Sequence, residues 1–191
     1  MEDRLATRTH EKMREVLMHP DAEGPAIHYW MIRGGSEKGN LTVWESGTVG
    51  GEYIKTYGHY HVDDLPETYF IVAVEGVALL QKMVGDDPAV IEDFKAIKVK
   101  AGDTLDIPIR YGHLVVNTGS TFLVTNDDSP VAGFDDSASM PLHADYKAVQ
   151  AMHGFAYYVV ERNGAPALVK NPLYTEVKKV DAGGLDILNL V

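Results

Sequence analysis

The chain has 191 residues, 45% of them hydrophobic and 24% charged, which suits one domain with a packed core and argues against wholesale disorder. It has no cysteine, which excludes disulfides, cysteine nucleophiles and thiolate metal sites, so any metal ion must take nitrogen and oxygen ligands. The net charge of −11 argues against nucleic acid as a partner, and it means that an anionic substrate would need a local positive centre.

The N-terminal residues predict a helix that a proline ends. Met13, Val16 and Leu17 belong to a weak apolar stripe, and Pro20 stops the pattern, so residues 1–24 are predicted to form a helical extension. This region is polar and lacks the apolar stretch of a signal peptide, and the chain contains no apolar run of about eighteen residues. We therefore expect a cytoplasmic protein without a membrane segment.

The texture then changes to that of an all-β domain, in which runs rich in Val, Ile, Tyr, Phe and Leu alternate with Gly, Asn, Asp and Pro clusters. Strands are predicted at residues 26–33, 41–45, 52–57, 67–74, 77–83, 97–99, 104–107, 113–117, 121–126, 155–162 and 167–170. Asn163 and Gly164 lie between the last two, and they predict a two-residue hairpin turn because both tolerate positive φ. Many short strands without alternating long helices favour a sandwich or barrel.

Two other segments differ from this pattern. Residues 135–153 begin small and polar and then turn helical in character, so a short helix is predicted near 145–153. The tail, residues 173–191, ends in DAGGLDILNLV. We expect it to pack on the domain or on a second subunit, although a loosely held tail is an equal alternative.

The stretch TYGHYHVDDLPETY, residues 56–69, contains two histidines one residue apart. Side chains two apart on a strand share a face, so His59 and His61 should point the same way, about 6–7 Å apart. Gly58 allows close approach of the backbone before the pair, and VDDLP predicts a turn. Glu67 then opens the next strand and can return a carboxylate to the same place. The three side chains are candidate metal ligands, although a surface H-x-H pair is the commoner explanation of that motif alone.

A second segment, AGDTLDIPIRYGHLVVN at residues 101–117, has the spacing G-x5-P-x4-H-x3-N. Together with the H-x-H…E block it resembles the two halves of the cupin signature. In cupins these halves lie on neighbouring strands of a small β-barrel, or jelly roll, and their histidines and glutamate share one metal ion. The resemblance implies a single cupin barrel over residues 25–172, and it implies that the metal ligands are His59, His61, Glu67 and His113.

Most cupins place the glutamate three or four residues beyond the histidine pair, whereas five residues intervene here. This longer gap resembles a narrower group, the cupin-type (archaeal-type) glucose-6-phosphate isomerases. Similar short words follow in the same order: LTV at 41–43, TYGHYH at 56–61, ETY at 67–69, LLQ at 79–81, GHLVVNTG at 112–119, ADY at 144–146, GF at 154–155 and NP at 171–172. The similarity covers roughly residues 25–172.

The resemblance implies an enzyme of glycolysis or gluconeogenesis that interconverts glucose 6-phosphate and fructose 6-phosphate with one divalent metal ion per subunit. Family members often use Fe²⁺, while Mn²⁺, Ni²⁺ and Zn²⁺ also occur. Glu67 is then either a ligand alone or also a base that moves a proton through an enediol, and a metal-assisted hydride shift is the alternative mechanism. The family is usually homodimeric, so a homodimer is expected.

By position, the resemblance also implies a set of substrate-binding residues: Thr42, Thr56, Gly58, Tyr69 and Tyr146. The sequence departs from the family pattern at two places. Arg110 stands where the second cupin half usually has glycine, and it is either an anion-binding residue or a solvated charge at the rim. Ala144 stands where a histidine usually precedes Asp-Tyr, with His143 one place earlier, so the role of His143 is open, as is that of His153.

Two other functions share the same fold. A different metal cupin enzyme, such as a dioxygenase or another sugar-phosphate isomerase, would keep the four ligands without the phosphate-binding set. A non-enzymatic sugar-binding or metal-binding cupin would leave the threonines and Tyr146 at their positions by accident.

Overall fold

The computed structural model describes residues 5–36, 39–129 and 143–189, and it confirms the predicted all-β class. The strands begin with β1 (Leu5–Thr9), β2 (Ile27–Ser36), β3 (Gly39–Trp44), β4 (Thr48–Val49), β5 (Glu52–Tyr53), β6 (Tyr60–His61), β7 (Glu67–Ala73), β8 (Glu75–Val84) and β9 (Asp87–Lys100). They continue with β10 (Thr104–Ile107), β11 (Gly112–Asn117), β12 (Leu123–Asp127), β13 (Ala144–Asp145), β14 (Tyr157–Arg162), β15 (Ala165–Lys170), β16 (Glu176–Val177), β17 (Val180–Asp181) and β18 (Asp186–Leu188). The helical elements are α1 (His10–Met13), a 3-10 turn (Arg14–Val16) and α2 (Lys147–Ala151).

The N-terminal helix is much shorter than predicted. Strand β1 occupies the first described residues and pairs antiparallel with β2, so that only residues 10–16 are helical. The physical reason lies in an alternation within β1: Ala6 and Arg8 are buried, whereas Leu5 and Thr9 are exposed. An alternation of only five residues is easily masked by a looser helical spacing that runs through the same stretch. The predicted second helix is present as α2, and residues 1–4, 135–142 and 190–191 of the predicted segments lie outside the described residues.

The largest sheet has six strands in the order β1-β2-β3-β12-β7-β10. Burial alternates along β3, so Asn40, Thr42 and Trp44 face the interior. Thr42 pairs with Met31 on β2 and with Thr125 on β12. The inner face of this sheet therefore carries polar side chains in its middle, where an ordinary core would be apolar.

Two further large sheets complete the architecture, one in the order β11-β8-β9-β16 with β17 also on β9, the other in the order β18-β15-β14-β5-β4; β13 and β6 form a separate pair. Over the described ranges no sheet closes on itself, so a single closed barrel is a loose description of this fold. Instead, two isolated bridges, Lys55 with Val116 and His59 with His113, connect the segment after β5 to β11. Such two-residue bridges leave no periodic pattern from which a sequence could predict them.

The predicted hairpin at Asn163 and Gly164 is confirmed. Arg162 pairs with Ala165, and the two turn residues have φ values of 54° and 79°. After this hairpin, β16 and β17 run parallel to β9, and β18 runs parallel to β15. The described part of the tail therefore packs on the domain, while the division into segments 1–24, 25–172 and 173–191 stays a prediction.

One hydrophobic cluster joins all three large sheets, with Trp44, Leu114 and Leu168 as fully buried examples. Such a core holds the sheets at fixed positions, which lets the polar cavity described below keep its shape. Within the described ranges, no helix is long and apolar enough to cross a membrane.

Candidate metal centre

A short bridge, rather than a long strand, positions the histidine pair. Gly58 has φ +82°, and the backbone of His59 then exchanges two hydrogen bonds with that of His113, of 3.2 and 3.0 Å. The ring centroids of His59 and His61 are 5.4 Å apart, and they lie 4.4 and 5.2 Å from that of His113. The pair therefore points the same way, as alternation along a strand predicts.

Glu67 and His113 complete a cluster of four side chains. Glu67 opens β7, His113 lies in β11, and both are buried. Glu67 Oε2 is 2.9 Å from His113 Nε2 and 3.3 Å from His61 Nε2. One ligand atom from each of His59, His61, Glu67 and His113 lies within 4.8 Å of the others, so this group could hold one metal ion.

Contacts on the outer side of the cluster orient its members. His61 Nδ1 lies 2.6 Å from the carbonyl oxygen of Leu65, and the hydroxyl of Ser129 donates to Glu67 Oε1. Among the described residues, no well-aligned hydrogen bond reaches the buried inner atoms His59 Nε2, His61 Nε2 and Glu67 Oε2, although the last two lie 3.3 Å apart. Buried polar atoms are seldom left unpaired in proteins. Three orphaned atoms that converge on one point therefore fit a bound cation.

The electrostatics of the cluster suit a metal as well. Burial and the neighbouring His113 imidazole hold the pKa of His59 well below its usual value, which keeps its ring neutral. Burial alone would raise the pKa of Glu67, but the His113 and His61 imidazoles close to its carboxylate hold the pKa well below the usual range. For His61 burial opposes the shift, but Glu67 raises the pKa, so a metal ion would have to displace a proton from this ring. Neutral imidazole and ionised carboxylate are the forms that bind metals.

Three imidazoles and one carboxylate suit Fe²⁺, Mn²⁺, Ni²⁺ and Zn²⁺ alike, because these ions all accept mixed nitrogen and oxygen ligands. The donor set therefore supports a divalent metal site and does not decide the identity of the metal.

A cavity of about 460 Å³, its open mouth included, adjoins the cluster, and His59 and Glu67 form part of its wall. All five of the predicted substrate-binding residues line it as well, namely Thr42, Thr56, Gly58, Tyr69 and Tyr146. These residues come from four separate parts of the chain, so the fold brings together what the resemblance assigned one position at a time.

Local packing explains two of these residues. The hydroxyl of Thr56 accepts a 3.0 Å hydrogen bond from the backbone N–H of Val115, which ties its segment to β11. A Cβ atom added to Gly58 would lie 2.8 Å from Cε1 of Phe155, and the φ of +82° is itself unfavourable for other residues. Gly58 is thus required where the backbone turns directly before the first histidine.

The two tyrosines flank the metal cluster. The hydroxyl of Tyr69 lies 3.0 Å from His113 Nε2. The ring of Tyr146 is 5.4 Å from that of His59 and packs edge-on against Tyr57 at 5.2 Å. Burial raises the pKa of both Tyr69 and Tyr146, so both hydroxyls are protonated and can donate hydrogen bonds at neutral pH.

Comparison with known proteins places this site in a family. The sequence matches the family model for glucose-6-phosphate isomerase (GPI) over residues 30–175. The chain belongs to the glucose-6-phosphate isomerase family. It is 32% identical to the glucose-6-phosphate isomerase of Thermococcus litoralis over 159 residues, which are 78% of this chain and 74% of that protein. It is 30% identical to the enzyme of that name from Pyrococcus horikoshii over 170 residues, or 85% of this chain and 78% of the other.

Among solved structures, oxalate decarboxylase of Bacillus subtilis is similar at a TM-score of 0.35 and 18% identity, over 52% of this chain and 21% of the other. An overlap this partial carries no argument about the activity of this glucose-6-phosphate isomerase family member. Membership of an enzyme family, by contrast, weighs against the alternative of a non-enzymatic binding protein.

The sequence did not reveal two buried arginines, Arg8 and Arg33, which line the same cavity of this family member. Arg8 Nε donates a 3.0 Å hydrogen bond to the hydroxyl of Tyr29, and its guanidinium lies 5.5 to 5.9 Å from the ring centroids of three tyrosines. The burial of Arg8 was not predicted, because the apolar spacing around it is that of a helix. Arg33 carried no motif, and its only signal was the alternation of β2, in which Tyr29, Met31 and Arg33 face inward.

Asp127 and Ser129 were missed for a similar reason: they directly follow a predicted strand without any motif, and both line the cavity. Burial and the nearby Glu67 carboxylate raise the pKa of Asp127 to about 6. Asp127 accepts a 2.8 Å hydrogen bond from Asn40 and a 3.1 Å bond from the backbone N–H of Ser129.

The structure also separates the three residues whose roles were open. His143 lines the cavity, with its ring 6.1 Å from that of His59. Arg110 has φ 66°, which explains the usual glycine at its position, and its exposed guanidinium pairs with Asp64 at 2.9 Å outside the cavity. His153 lines a different, largely apolar pocket, so it lies outside the site.

Proposed function

We propose that this family member is a metal-dependent isomerase that interconverts glucose 6-phosphate and fructose 6-phosphate. The observation that carries the proposal is one cavity that adjoins four convergent ligand atoms and is lined by two buried arginines and several hydroxyl groups. Family membership over most of the chain supports this reaction over the other chemistries, such as dioxygenation, that a metal site of this kind can perform.

His59, His61, Glu67 and His113 would hold the metal ion, and Fe²⁺ is the first candidate, followed by Mn²⁺, Ni²⁺ and Zn²⁺. When bound, a divalent ion supplies an electrophile that polarises the oxygens at C1 and C2 of the sugar. The adjoining cavity would let the hydroxyl groups of the sugar approach a metal ion held by these residues.

Glu67 is the candidate base in the enediol route. Its carboxylate would take the proton from C2 of the aldose and return it to C1, while a second proton passes between O1 and O2, so the reaction is balanced. The low pKa of Glu67 and the hydrogen bond from Ser129 to its other oxygen keep Oε2 ionised and oriented. The hydride-shift route would use Glu67 as a ligand only, and a solvent-exchange experiment with deuterium separates the two.

The phosphate group of the substrate would bind to polar residues of the cavity that are not candidate metal ligands. Thr42 and Thr56 offer hydroxyls, Gly58 offers a backbone N–H, and Tyr146 offers a protonated phenol. Hydrogen bonds to a dianion are stronger than those between neutral groups, so this set can orient the substrate. Tyr69 would contact the sugar beside His113.

The assembly and location follow the family expectation. We propose a homodimer that acts in the cytoplasm on sugar phosphates and does not bind nucleic acid. Light scattering of the purified protein tests the assembly, and a mass of one chain would contradict it.

The test of the function is a coupled assay of fructose 6-phosphate conversion to glucose 6-phosphate. The protein is stripped with EDTA and then reloaded separately with Fe²⁺, Mn²⁺, Ni²⁺ or Zn²⁺. Loss of activity on stripping and recovery with at least one ion are expected. Absence of activity with every ion, alongside measured metal binding, would overturn the isomerase assignment.

A further inference from the structure

We propose that Arg33 is an anion-binding residue of the cavity and that its guanidinium receives the phosphate group of the substrate. This inference rests on the proposed function, which supplies a phosphate monoester. It adds a charged side chain to a phosphate subsite that otherwise consists of neutral donors.

The position of Arg33 follows from the alternation of β2. Tyr29, Met31 and Arg33 face inward, and Arg33 is only 8% exposed although it lines the cavity. Met31 lies directly opposite Thr42 in the strand register. The regular pairing with β3 ends at Ile32, but burial still alternates to Arg33, and Arg33 lines the same cavity as Thr42, one of the proposed phosphate ligands.

The guanidinium lacks the partners that a buried cation normally has. Within the part of the chain that the structure describes, its Nη2 donates to a thioether, Met31 Sδ at 3.4 Å, and its buried Nε makes no hydrogen bond. Within residues 5–36, 39–129 and 143–189, no carboxylate forms an ion pair with it. A buried cation whose donors are not hydrogen-bonded to an anion is strongly unfavourable, so these donors point to an anion that arrives with the ligand.

The nearest alternative is that Arg33 only balances the charge of Asp127. Asp127 does feel the charge of Arg33, which opposes the rise of its pKa, but it accepts its hydrogen bonds from neutral groups, the amide of Asn40 and the backbone of Ser129. Among the described residues, no carboxylate accepts a hydrogen bond from Arg33. Arg8, by contrast, is already held by the hydroxyl of Tyr29 and by three aromatic rings.

The chemistry of arginine fits a phosphate monoester. Its planar fork can donate two parallel hydrogen bonds to phosphate oxygens, which a threonine hydroxyl cannot do. The chain as a whole has a net charge of −11, so an anionic substrate gains from two cationic side chains inside the cavity.

The test uses a ligand that does not react. D-glucitol 6-phosphate and inorganic phosphate are titrated calorimetrically into the purified, metal-containing protein, and neutral D-glucitol serves as the phosphate-free comparison. The variants are Arg33→Met, Arg33→Lys and the matched control Arg162→Met, which removes an exposed arginine at the β14–β15 hairpin.

For Arg33→Met we expect the Kd of D-glucitol 6-phosphate to rise about 10- to 100-fold, the scale of one lost charge-assisted contact. Arg33→Lys should recover part of that loss, and Arg162→Met should leave the Kd unchanged. In the coupled assay, the loss for Arg33→Met should fall on KM more than on kcat, while metal content stays the same. A residue that only balanced Asp127 would alter kcat and the pH profile instead.

The inference is overturned if folded Arg33→Met binds D-glucitol 6-phosphate within about twofold of the parent protein, or if the parent binds neither phosphate nor D-glucitol 6-phosphate. Should Arg33→Met fail to fold, an unchanged Kd and KM in Arg33→Lys would overturn it equally, because lysine cannot reproduce the fork. Phosphate binding that depends on Arg33 in a protein without isomerase activity would refute the proposed function and leave this inference standing.

Discussion

Replacement of His113 by alanine tests the metal centre through a readout that needs no turnover. The ring of His113 is buried, and its Nε2 lies 2.9 Å from the Glu67 carboxylate. In the metal-free protein these polar groups are therefore buried close together without a cation between them. Binding of a divalent ion only to the folded state should raise the midpoint of thermal unfolding, Tm. Loss of one of the four ligands should remove most of that increase.

The size of the effect follows from mass action. With free metal at about 100 times Kd, the parent protein gains about 2.7 kcal/mol. For a chain of this length, each kcal/mol moves Tm by about 2–4 °C, so a shift of about 5–10 °C is expected. Loss of a group that merely supports a ligand weakens metal affinity about 10- to 100-fold, and loss of a ligand should do at least as much. A 100-fold weaker Kd leaves about 0.4 kcal/mol, or about 1 °C.

The assay is differential scanning fluorimetry of stripped protein, with and without each candidate ion, combined with metal content measured by mass spectrometry. His19→Ala is the matched control, because it removes an exposed histidine outside the cluster. The ligand assignment is refuted if His113→Ala keeps the full metal-induced shift or if His19→Ala loses it.

Three further outcomes are expected. Gly58→Ala should destabilise the fold by about 2–4 kcal/mol, because it adds left-handed strain and a close contact with an aromatic ring. Burial, aided by the charges of its neighbours, lowers the pKa of His28 to about 4. Protons therefore bind the unfolded state first as the pH falls from about 6.5 to 4, which should remove on the order of 3 kcal/mol of stability that His28→Leu keeps. Thr56→Val should raise KM for fructose 6-phosphate several-fold and also lower Tm, because it leaves a backbone N–H unpaired.

Each of these has its own control. Gly47→Ala has a comparable φ of +100° but no atom of the described residues within 4 Å of the added Cβ, so urea unfolding should show a smaller loss of stability than for Gly58→Ala; equal losses would remove the packing explanation. For His28, urea midpoints at pH 7 and pH 4.5 are compared, and the same acid loss in His28→Leu would contradict the linkage. Thr56→Ser keeps the hydroxyl, and a KM raised as much as in Thr56→Val would exclude the hydroxyl as a phosphate donor.

Much of the strand pattern was predictable because it depends on neighbours in the sequence. The alternation of Val, Ile and Tyr residues with turn residues marked most of the strands, and Asn163-Gly164 fixed a hairpin that the structure reproduces. The short β1 resembles a helix in sequence because five residues cannot outweigh a longer apparent periodicity, and its strand character depends on pairing with β2. The isolated bridges, such as that of His59 with His113, could not be predicted either, because they involve residues far apart in the chain.

The candidate site also has one part that the sequence predicts and one part that it does not. The spacing of the two histidine motifs, together with the family resemblance, is sufficient to name His59, His61, Glu67 and His113, because metal ligation demands particular side chains at nearly fixed intervals. Arg8 and Arg33 obey no such interval: what makes them part of the site is burial against strands distant in the sequence. The sequence by itself therefore determined the all-β class and the candidate metal ligands. Only the tertiary structure decided that Arg8 and Arg33 line the adjoining cavity, because the burial of a charged side chain depends on contacts across the whole fold.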